Sequence, residues 1–248
     1  MYISLFLSVR GRQYLKKGVW KSEEKMRIVR IIAIAIVLLS AIPVFGFEPM
    51  FDTRIDYAVG GGPHSVFAAD LDGDGVADLA VANYNSDNVS ILKNNGDGTF
   101  ATAVNYTVGS NPRSVFASDL DGDGDADLAV VNYGSDNVSI LKNNGDGTFH
   151  IHSSYFVGDE PSCVFATDLD GDGDRDALLG ERSRATIWWN DGLALFTKSR
   201  QRFSYTKRYG LAVGDFNGDG RTDIFAAAYD DNYHVWFNQG DGTFDITP

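Results

Sequence analysis

The stretch Ser65-Val-Phe-Ala-Ala-Asp-Leu-Asp-Gly-Asp-Gly75 decides the fold, because it returns three more times along the chain. The copies begin at Ser114, at Cys163 and, more loosely, at Gly210. Their first aspartates follow one another at intervals of 49, 49 and 47 residues. Repetition at so regular a period predicts an array of similar structural units.

A second marker, Asn94-Asn-Gly-Asp-Gly-Thr-Phe100, lies later in the first repeat. It returns at residues 143–149 and 238–244, whereas the third copy, at 190–196, has decayed. The third unit is therefore expected to be irregular. Both markers are rich in glycine and aspartate, which favour tight turns between strands.

Alternating apolar residues and turn residues predict four strands in the first repeat, at Ser65–Ala69, Leu79–Asn83, Val89–Lys93 and Phe100–Val108. No amphipathic helical pattern follows residue 46. Four antiparallel strands per repeat are typical of a propeller blade. The sequence thus predicts an all-β propeller of four four-stranded units, at about residues 61–109, 110–158, 159–206 and 207–248.

The two ends of the repeat region predict how the ring closes. Residues 51–60 match 100–109, the fourth-strand segment of the first unit, and the last unit reaches only Phe244-Asp-Ile-Thr-Pro248. Residues 51–60 are therefore expected to complete the last blade and close a four-bladed ring, which leaves no open sheet edge. The alternative is that the four units form part of a larger ring or assembly.

Each repeat has an acidic loop with carboxylate or amide oxygens at positions 1, 3, 5 and 9 and glycine at position 6. Alternate residues of a tight loop can direct several hard oxygen ligands at one calcium ion, and glycine allows the sharp turn. The predicted side-chain ligands are Asp70, Asp72, Asp74, Asp78; Asp119, Asp121, Asp123, Asp127; Asp168, Asp170, Asp172, Asp176; and Asp215, Asn217, Asp219, Asp223. Backbone carbonyls at position 7 would add Val76, Asp125, Asp174 and Arg221.

Two other interpretations of these loops are weaker. An EF-hand needs a glutamate at position 12 and flanking helices, but position 12 is Val81 in the first loop and lies in a predicted strand. Simple solvated turns would leave clusters of carboxylates repelling one another without a cation. Up to four structural calcium ions are therefore expected.

The aspartate loop between two short strands, followed by Gly-Asp-Gly-Thr-Phe, resembles the FG-GAP/VCBS-type repeat of integrin α-subunit propellers and many secreted bacterial and archaeal proteins. The resemblance covers about residues 51–248. It implies a β-propeller whose calcium ions are structural, with ligands bound through loops on the opposite face. The chain has fewer units than the family often has.

The formal net charge is −13, and residues 1–46 hold eight Lys or Arg and two Glu, which leaves −19 for residues 47–248. So acidic a body is not expected to bind nucleic acid. Basic residues before the apolar run 31–42 predict a signal peptide or basic leader ending at Gly46, with Met26 a possible true start. An uncleaved membrane anchor is the alternative. In either case the protein is expected to be secreted, periplasmic or at the cell surface.

No motif for catalysis, phosphate binding or zinc is present. The lone Cys163 is expected to be a small packed residue, and His150 and His152 an ordinary surface pair. The third repeat is rich in basic and aromatic residues. The tryptophans are expected to lie in a strand, one facing the core, and the basic residues to balance nearby acidic ones; a binding patch is the alternative. The residues are Arg182, Arg184, Trp188, Trp189, Lys198, Arg200, Arg202, Lys207 and Arg208. Another candidate site is the propeller mouth, at His64, Arg113, Ser162 and Tyr209.

These features predict a non-enzymatic binding or adhesion module for an extracellular protein or glycan. The alternative is a carbohydrate-active enzyme or its accessory domain, built from propeller loops. A third possibility is a structural surface component that self-associates through calcium. Membrane contact is expected only through an uncleaved leader.

Overall fold

The computed structural model describes residues 8–9, 12–13, 55–204, 208–228 and 233–245. The chain divides into two compact units, Met1–Ile55 and Asp56–Pro248. In the first unit, strands β1 (Ser8–Val9) and β2 (Arg12–Gln13) pair antiparallel. The predicted leader, its apolar run and Met26 otherwise lie outside the described residues. No helix among the residues that the structure describes is long and apolar enough to cross a membrane.

The second unit contains four antiparallel sheets of four strands, one for each repeat, and its described residues form no helix. The first sheet comprises β3 (Pro63–Ala69), β4 (Asp78–Asn83), β5 (Asn88–Leu92) and β6 (Val104–Thr107). The second comprises β7 (Pro112–Ser118), β8 (Asp127–Asn132), β9 (Asn137–Asn143) and β10 (Phe149–Phe156). The third comprises β11 (Cys163–Thr167), β12 (Asp176–Gly180), β13 (Arg184–Asn190) and β14 (Phe196–Ser204). The fourth comprises β15 (Arg208–Gly214), β16 (Asp223–Ala228), β17 (Tyr233–Asn238) and β18 (Phe244–Asp245).

The all-β class and the four-strand repeat are confirmed, and in the first sheet the strand bounds agree with the prediction to within two residues except at one place. The fourth strand of the first sheet begins at Val104, although the prediction began it at Phe100. Phe100 forms only an isolated bridge with Asn94. This bridge closes the Gly-Asp-Gly turn, so Phe100 belongs to the turn and the strand begins four residues later, at Val104.

The third sheet keeps four strands although its Gly-Asp-Gly-Thr-Phe turn has decayed. At the decayed turn Ala194 takes a positive φ of 58°, and the register of β13 against β14 shifts between Thr186 and Trp188. The amide of Ala194 donates to the Leu120 carbonyl of the second sheet, 3.0 Å away. The expected irregularity therefore lies in the turn and in this register shift, whereas all four strands form, because pairing between strands does not need the turn glycines.

The core consists of three apolar clusters, each lying between two successive sheets. Leu71 and Val115 belong to the cluster between the first and second sheets, and Leu120 and Val164 to the next. Leu169 is the equivalent residue between the third and fourth sheets. Burial of these side chains, at about 1.5 to 3 kcal/mol each for Leu or Val, is the main force that stacks sheet on sheet.

Ring closure by residues 51–60 concerns a segment that is only partly described. Residues 51–54 lie outside the described residues, and 55–60 contain no strand. Within the part of the chain that the structure describes, no strand pairing and no core cluster joins the first sheet to the fourth. Closure of a four-bladed ring therefore stays a prediction.

Candidate metal centres

The first aspartate of each loop caps the turn that follows it. Asp70 accepts hydrogen bonds from the amides of Gly73 and Gly75, both at 2.8 Å, one to each carboxylate oxygen. Gly75 has φ of 86°, a conformation that side-chain-bearing residues avoid. Asp119, Asp168 and Asp215 make the same pair of bonds in their own loops. The glycines are thus required by the turn, as the sequence predicted.

The ninth position is a fully buried aspartate that joins the loop to the sheet. Asp78 accepts the amide of Leu71 at 3.0 Å and the amide of Asn94 at 2.7 Å. These two amides belong to the start of the loop and to the end of the third strand. The same pattern recurs at Asp127, Asp176 and Asp223. This aspartate is therefore a structural link whether or not a metal ion is bound.

Three of the four loops bring carboxylate oxygens within 4.8 Å of one another. Each group contains positions 1, 3 and 9: Asp70, Asp72, Asp78; Asp119, Asp121, Asp127; and Asp168, Asp170, Asp176. The Oδ1 atom of Asp72 is buried and has no hydrogen-bond partner. An acceptor of this kind, beside two further carboxylates, fits a hard cation and is costly without one. Three aspartate clusters could therefore hold a metal ion.

The fifth position does not belong to these clusters. Asp74 accepts the amide of Val76 at 2.8 Å, and Asp123, Asp172 and Asp219 do the same for position 7 of their loops. The carboxylate therefore shapes the turn in this structure. Its predicted role as a ligand, like that of the position 7 carbonyls, stays a prediction.

The fourth loop differs from the others because position 3 is an amide, Asn217, and position 7 is a cation, Arg221. Arg221 forms a 2.6 Å ion pair with Asp219, and the side-chain amide of Asn217 donates to the same carboxylate at 2.8 Å. The loop is not among the carboxylate groups that the described residues bring together. The structure thus gathers three carboxylates in three of the four loops, and the fourth loop, with the amide of Asn217 at position 3, stays a predicted site.

Two lysines that sequence reasoning missed lie beside the first two clusters. The ammonium of Lys93 is 3.4 Å from Asp72, and Lys142 forms an ion pair with Asp121. Burial alone would raise the pKa of Asp121, but the bond to Lys142 outweighs it and the pKa lies below its usual value. In the third repeat Trp189 stands where Lys93 and Lys142 stand in the first two. No ion pair between described residues involves the third cluster, Asp168, Asp170 and Asp176. Alignment of the residue before Asn94 in each repeat would have revealed this difference.

The third cluster therefore concentrates the most uncompensated negative charge. Burial and then the neighbouring carboxylates raise the pKa of Asp170. Burial, opposed by two amide donors, raises the pKa of Asp176 to about 7 and that of Asp127 to about 6. A metal ion would remove the penalty on the ionised forms. We expect the third cluster to be the strongest of the three cation sites.

These raised pKa values predict how the metal-free protein responds to pH. The folded chain holds protons on Asp127 and Asp176 that the unfolded chain releases above about pH 4. Stability is therefore expected to fall as the pH rises from 5 to 8, with thermal unfolding in chelator as the measurement. Asp176→Asn should flatten the slope, whereas Asp159→Asn, an exposed control, should not. A melting temperature that rises over this range would contradict the assignment.

The basic and aromatic residues of the third repeat are partly buried in the sheet and partly at its surface. Glu181 is buried, and its carboxylate accepts hydrogen bonds from Arg184 Nε and from the Thr186 hydroxyl. The Lys198 ammonium is 3.7 Å from the same carboxylate. Trp188 is buried in the core. For these residues, charge balance and packing are confirmed. Trp189 packs against the third core cluster, Arg182 pairs with Glu160 at the surface, and Arg200 is exposed. The side chains of Arg202, Lys207, Arg208 and Tyr209 lie outside the described residues.

The propeller mouth gathers aromatic rings and cations at the end of the sheets opposite the aspartate loops. Pro63 pairs with Asn83, which places His64 and Tyr84 together. Their ring centroids are 5.9 Å apart, and Tyr84 lies 6.4 Å from Tyr133 of the second sheet. The Arg113 guanidinium lies over Tyr133 at 4.9 Å, and its carbonyl contacts His64 Nδ1 at 3.1 Å. The tyrosines were missed from the sequence, although both follow the second strand of their repeat.

The four repeats match the FG-GAP-like repeat over residues 70–130, 119–179, 168–226 and 215–248. The chain belongs to the FG-GAP-like repeat family. This confirms the resemblance drawn from the aspartate loops. No curated protein matches the chain in sequence.

Solved structures similar to this FG-GAP-like chain support a propeller-like stacking of its sheets. An Agrocybe aegerita lectin that recognises non-reducing terminal N-acetylglucosamine is 24% identical, with a TM-score of 0.51, covering 74% of this chain and 51% of the lectin. The BBS1N chain of a complex with ARL6DN is 17% identical, with a TM-score of 0.54 and coverages of 77% and 55%. The Pseudomonas aeruginosa periplasmic gluconolactonase PpgL is 19% identical, with a TM-score of 0.51 and coverages of 74% and 52%. These likenesses establish the fold alone, and this chain spans about half the length of each structure.

Proposed function

We propose that this FG-GAP-like protein is a secreted or cell-surface, calcium-binding β-propeller that acts as a non-enzymatic binding module for a protein or glycan. The observation that carries the proposal is the division of chemistry between the two ends of the sheets. The aspartate clusters lie at the loops between the first and second strands, and the aromatic and cationic mouth lies at the other end. One end is suited to a structural metal ion and the other to a ligand.

Calcium is the cation that best fits the aspartate end. The donors are carboxylate oxygens, which are hard ligands, and no histidine or cysteine belongs to the clusters. An exported location agrees with this choice, because many extracellular modules bind calcium at about 10⁻⁴ to 10⁻³ M. A chain with one cysteine has no internal disulfide, so bound metal would supply part of its stability.

The mouth has the groups that recognise sugar rings or an acidic partner. Tyr84 and Tyr133 are half-buried, so their positions are held by the sheet while part of each ring faces outward. His64 is exposed, and Arg113 supplies a cation beside the rings. Rigid aromatic rings give contact area at a low entropic cost, and a guanidinium can bind a carboxylate through two hydrogen bonds. The Agrocybe aegerita lectin shows that a similar fold can carry glycan recognition.

The test is an array of neutral and uronic-acid glycans, probed in calcium for binding and for release of products. We expect binding without cleavage, weakened at least tenfold by Tyr84→Ala and by Tyr133→Ala. Phe156→Ala is the control, because its ring is exposed on the outer strand of the second sheet. Accumulation of a cleaved glycan would favour the carbohydrate-active enzyme instead. Binding to no glycan on the array would contradict the glycan form of the proposal.

A further inference from the structure

The three internal contacts between sheets follow one rule. The residue after the first loop aspartate lies on one sheet and is buried by the next: Leu71, Leu120 and Leu169 are all at most 1% exposed. The central valine of the following first strand faces it in the same cluster, as Val115 and Val164 show. Each sheet therefore has a leading face and a trailing face, and the two are complementary.

The leading face of the fourth sheet is uncovered and is built from aromatic residues. Phe216, the equivalent of Leu71, is 48% exposed, and Tyr233 is 71% exposed. The equivalents of Tyr233 are Val89, Val138 and Ala185, which are at most 3% exposed. Phe225 lies between the two, 6.1 Å from Phe216 and 5.7 Å from Tyr233. An aromatic row that is half-buried at Phe225 and exposed at both ends is typical of an interaction surface.

The trailing face of the first sheet is uncovered as well. Val66 is 62% exposed, whereas its equivalents Val115 and Val164 are 3% and 2% exposed. Tyr57 already lies on this sheet, with its hydroxyl accepting the Phe100 amide at 3.1 Å. Tyr155 of the second sheet makes the same bond to Phe196 of the third. Tyr57 thus takes the place that the fourth strand of a preceding sheet would occupy.

A missing hydrogen bond marks the same place. Asn143 donates to the Leu71 carbonyl at 2.8 Å, Asn190 to Leu120 at 2.7 Å, and Asn238 to Leu169 at 2.9 Å. Each bond joins one sheet to its predecessor. Asn94, the first member of the series, contacts only the Ala77 carbonyl through its side-chain amide. The acceptor that the series predicts for its second N–H is the Phe216 carbonyl.

We propose that two copies of this chain join head to tail, the leading face of each fourth sheet covering the trailing face of the partner's first sheet. In the part of the chain that the structure describes, Val66 and Phe216 are both exposed, so each face is free to meet a second copy. A second copy offers the two faces that repeat the packing between successive sheets: a valine like Val115 opposite Phe216, and an aromatic face opposite Val66. Residues 55–60 of one copy then continue the line of β18 in the other. Two identical contacts related by a two-fold axis close such a ring.

Sedimentation equilibrium of the full chain in calcium is the test, with the chain mass taken from denatured protein. We expect twice that mass. Val66→Glu and Phe216→Lys should each weaken the dimer at least 100-fold, and an equimolar mixture of the two should regain it, because one contact is then native and the other pairs opposite charges. Asn94→Ala should weaken it about 10- to 30-fold, from one hydrogen bond at each of two contacts. Ile151→Glu, on the exposed outer strand of the second sheet, should not change the mass.

Other outcomes would overturn the proposal. A monomeric mass would contradict the dimer, whether the ring closes on itself or further units cover its ends. A series of growing oligomers would contradict it as well. Circular dichroism of each variant separates loss of association from loss of folding. If Val66→Glu unfolds the chain, the mass of Asn94→Ala tests the dimer instead. This variant is suitable because the half-buried Asn94 side chain makes no hydrogen bond to another sheet within one copy.

Discussion

Replacing Asn143 with alanine is expected to lower the free energy of unfolding by about 3 to 5 kcal/mol, since each buried polar group left unpaired costs roughly 1 to 3 kcal/mol. The Asn143 side chain is buried and donates to the carbonyls of Leu71 and Ala126, at 2.8 and 3.0 Å. Its oxygen accepts the amides of Gly145 and Gly147. The substitution removes a link between two sheets, a link to the aspartate loop and the cap of the next turn at once.

Urea unfolding in calcium, followed by tryptophan fluorescence and circular dichroism, measures this loss. Asn144→Ala is the control: it removes the same kind of side chain one residue later, where it is exposed and bonds only to Thr148 and His150. We expect the control to cost less than about 1 kcal/mol, as is usual for surface substitutions. Equal costs for the two variants would show that Asn143 does not join the sheets.

Removal of calcium is expected to have a larger effect still. Each of the three clusters holds carboxylates within 4.8 Å of one another, and the ion pairs between described residues reach the first two clusters through Lys93 and Lys142 but not the third. Calcium at ten to a hundred times its dissociation constant adds about 1.4 to 2.7 kcal/mol per independent site. Three occupied sites therefore contribute about 4 to 8 kcal/mol, a large share of the stability of an ordinary domain.

The sequence was sufficient to predict most of the array, because the repeat fixes the register of every unit. The strands on either side of each loop were predicted to within two residues in the first sheet. The start of the fourth strand was not, because Phe100 belongs to the alternating pattern of the strand yet serves the turn. Side-chain periodicity does not distinguish an anchored turn residue from a strand residue.

The loop ligands were predicted by spacing, and spacing does not reveal which atoms a carboxylate contacts. Positions 1, 3 and 9 come together in three of the four loops. Position 5 bonds to the backbone in the structure, and position 9 binds two amides of its own repeat. The lysines beside the clusters lie 21 residues beyond the position 3 aspartate, in another strand, so only sheet pairing brings Lys93 to Asp72.

The open ends could not be predicted from the repeat at all. Val66 and Val115 occupy the same position and differ only in what covers them, which depends on the neighbouring sheet. The replacement of leucine, alanine or valine by Phe216, Phe225 and Tyr233 was visible in the sequence. Its meaning depends on the knowledge that these three residues share one face of the last sheet.

The most direct test of the account is thermal unfolding of the protein at pH 7.5, first with 10 mM calcium and then with chelator. Asp170→Asn tests the third site, and Asp159→Asn controls for the change of charge. We expect calcium to raise the melting temperature by a large amount, and we expect part of this rise to be lost in Asp170→Asn and none in the control. The same melting temperature in calcium and in chelator, with no metal retained from purification, would contradict the central claim that the aspartate clusters are structural calcium sites.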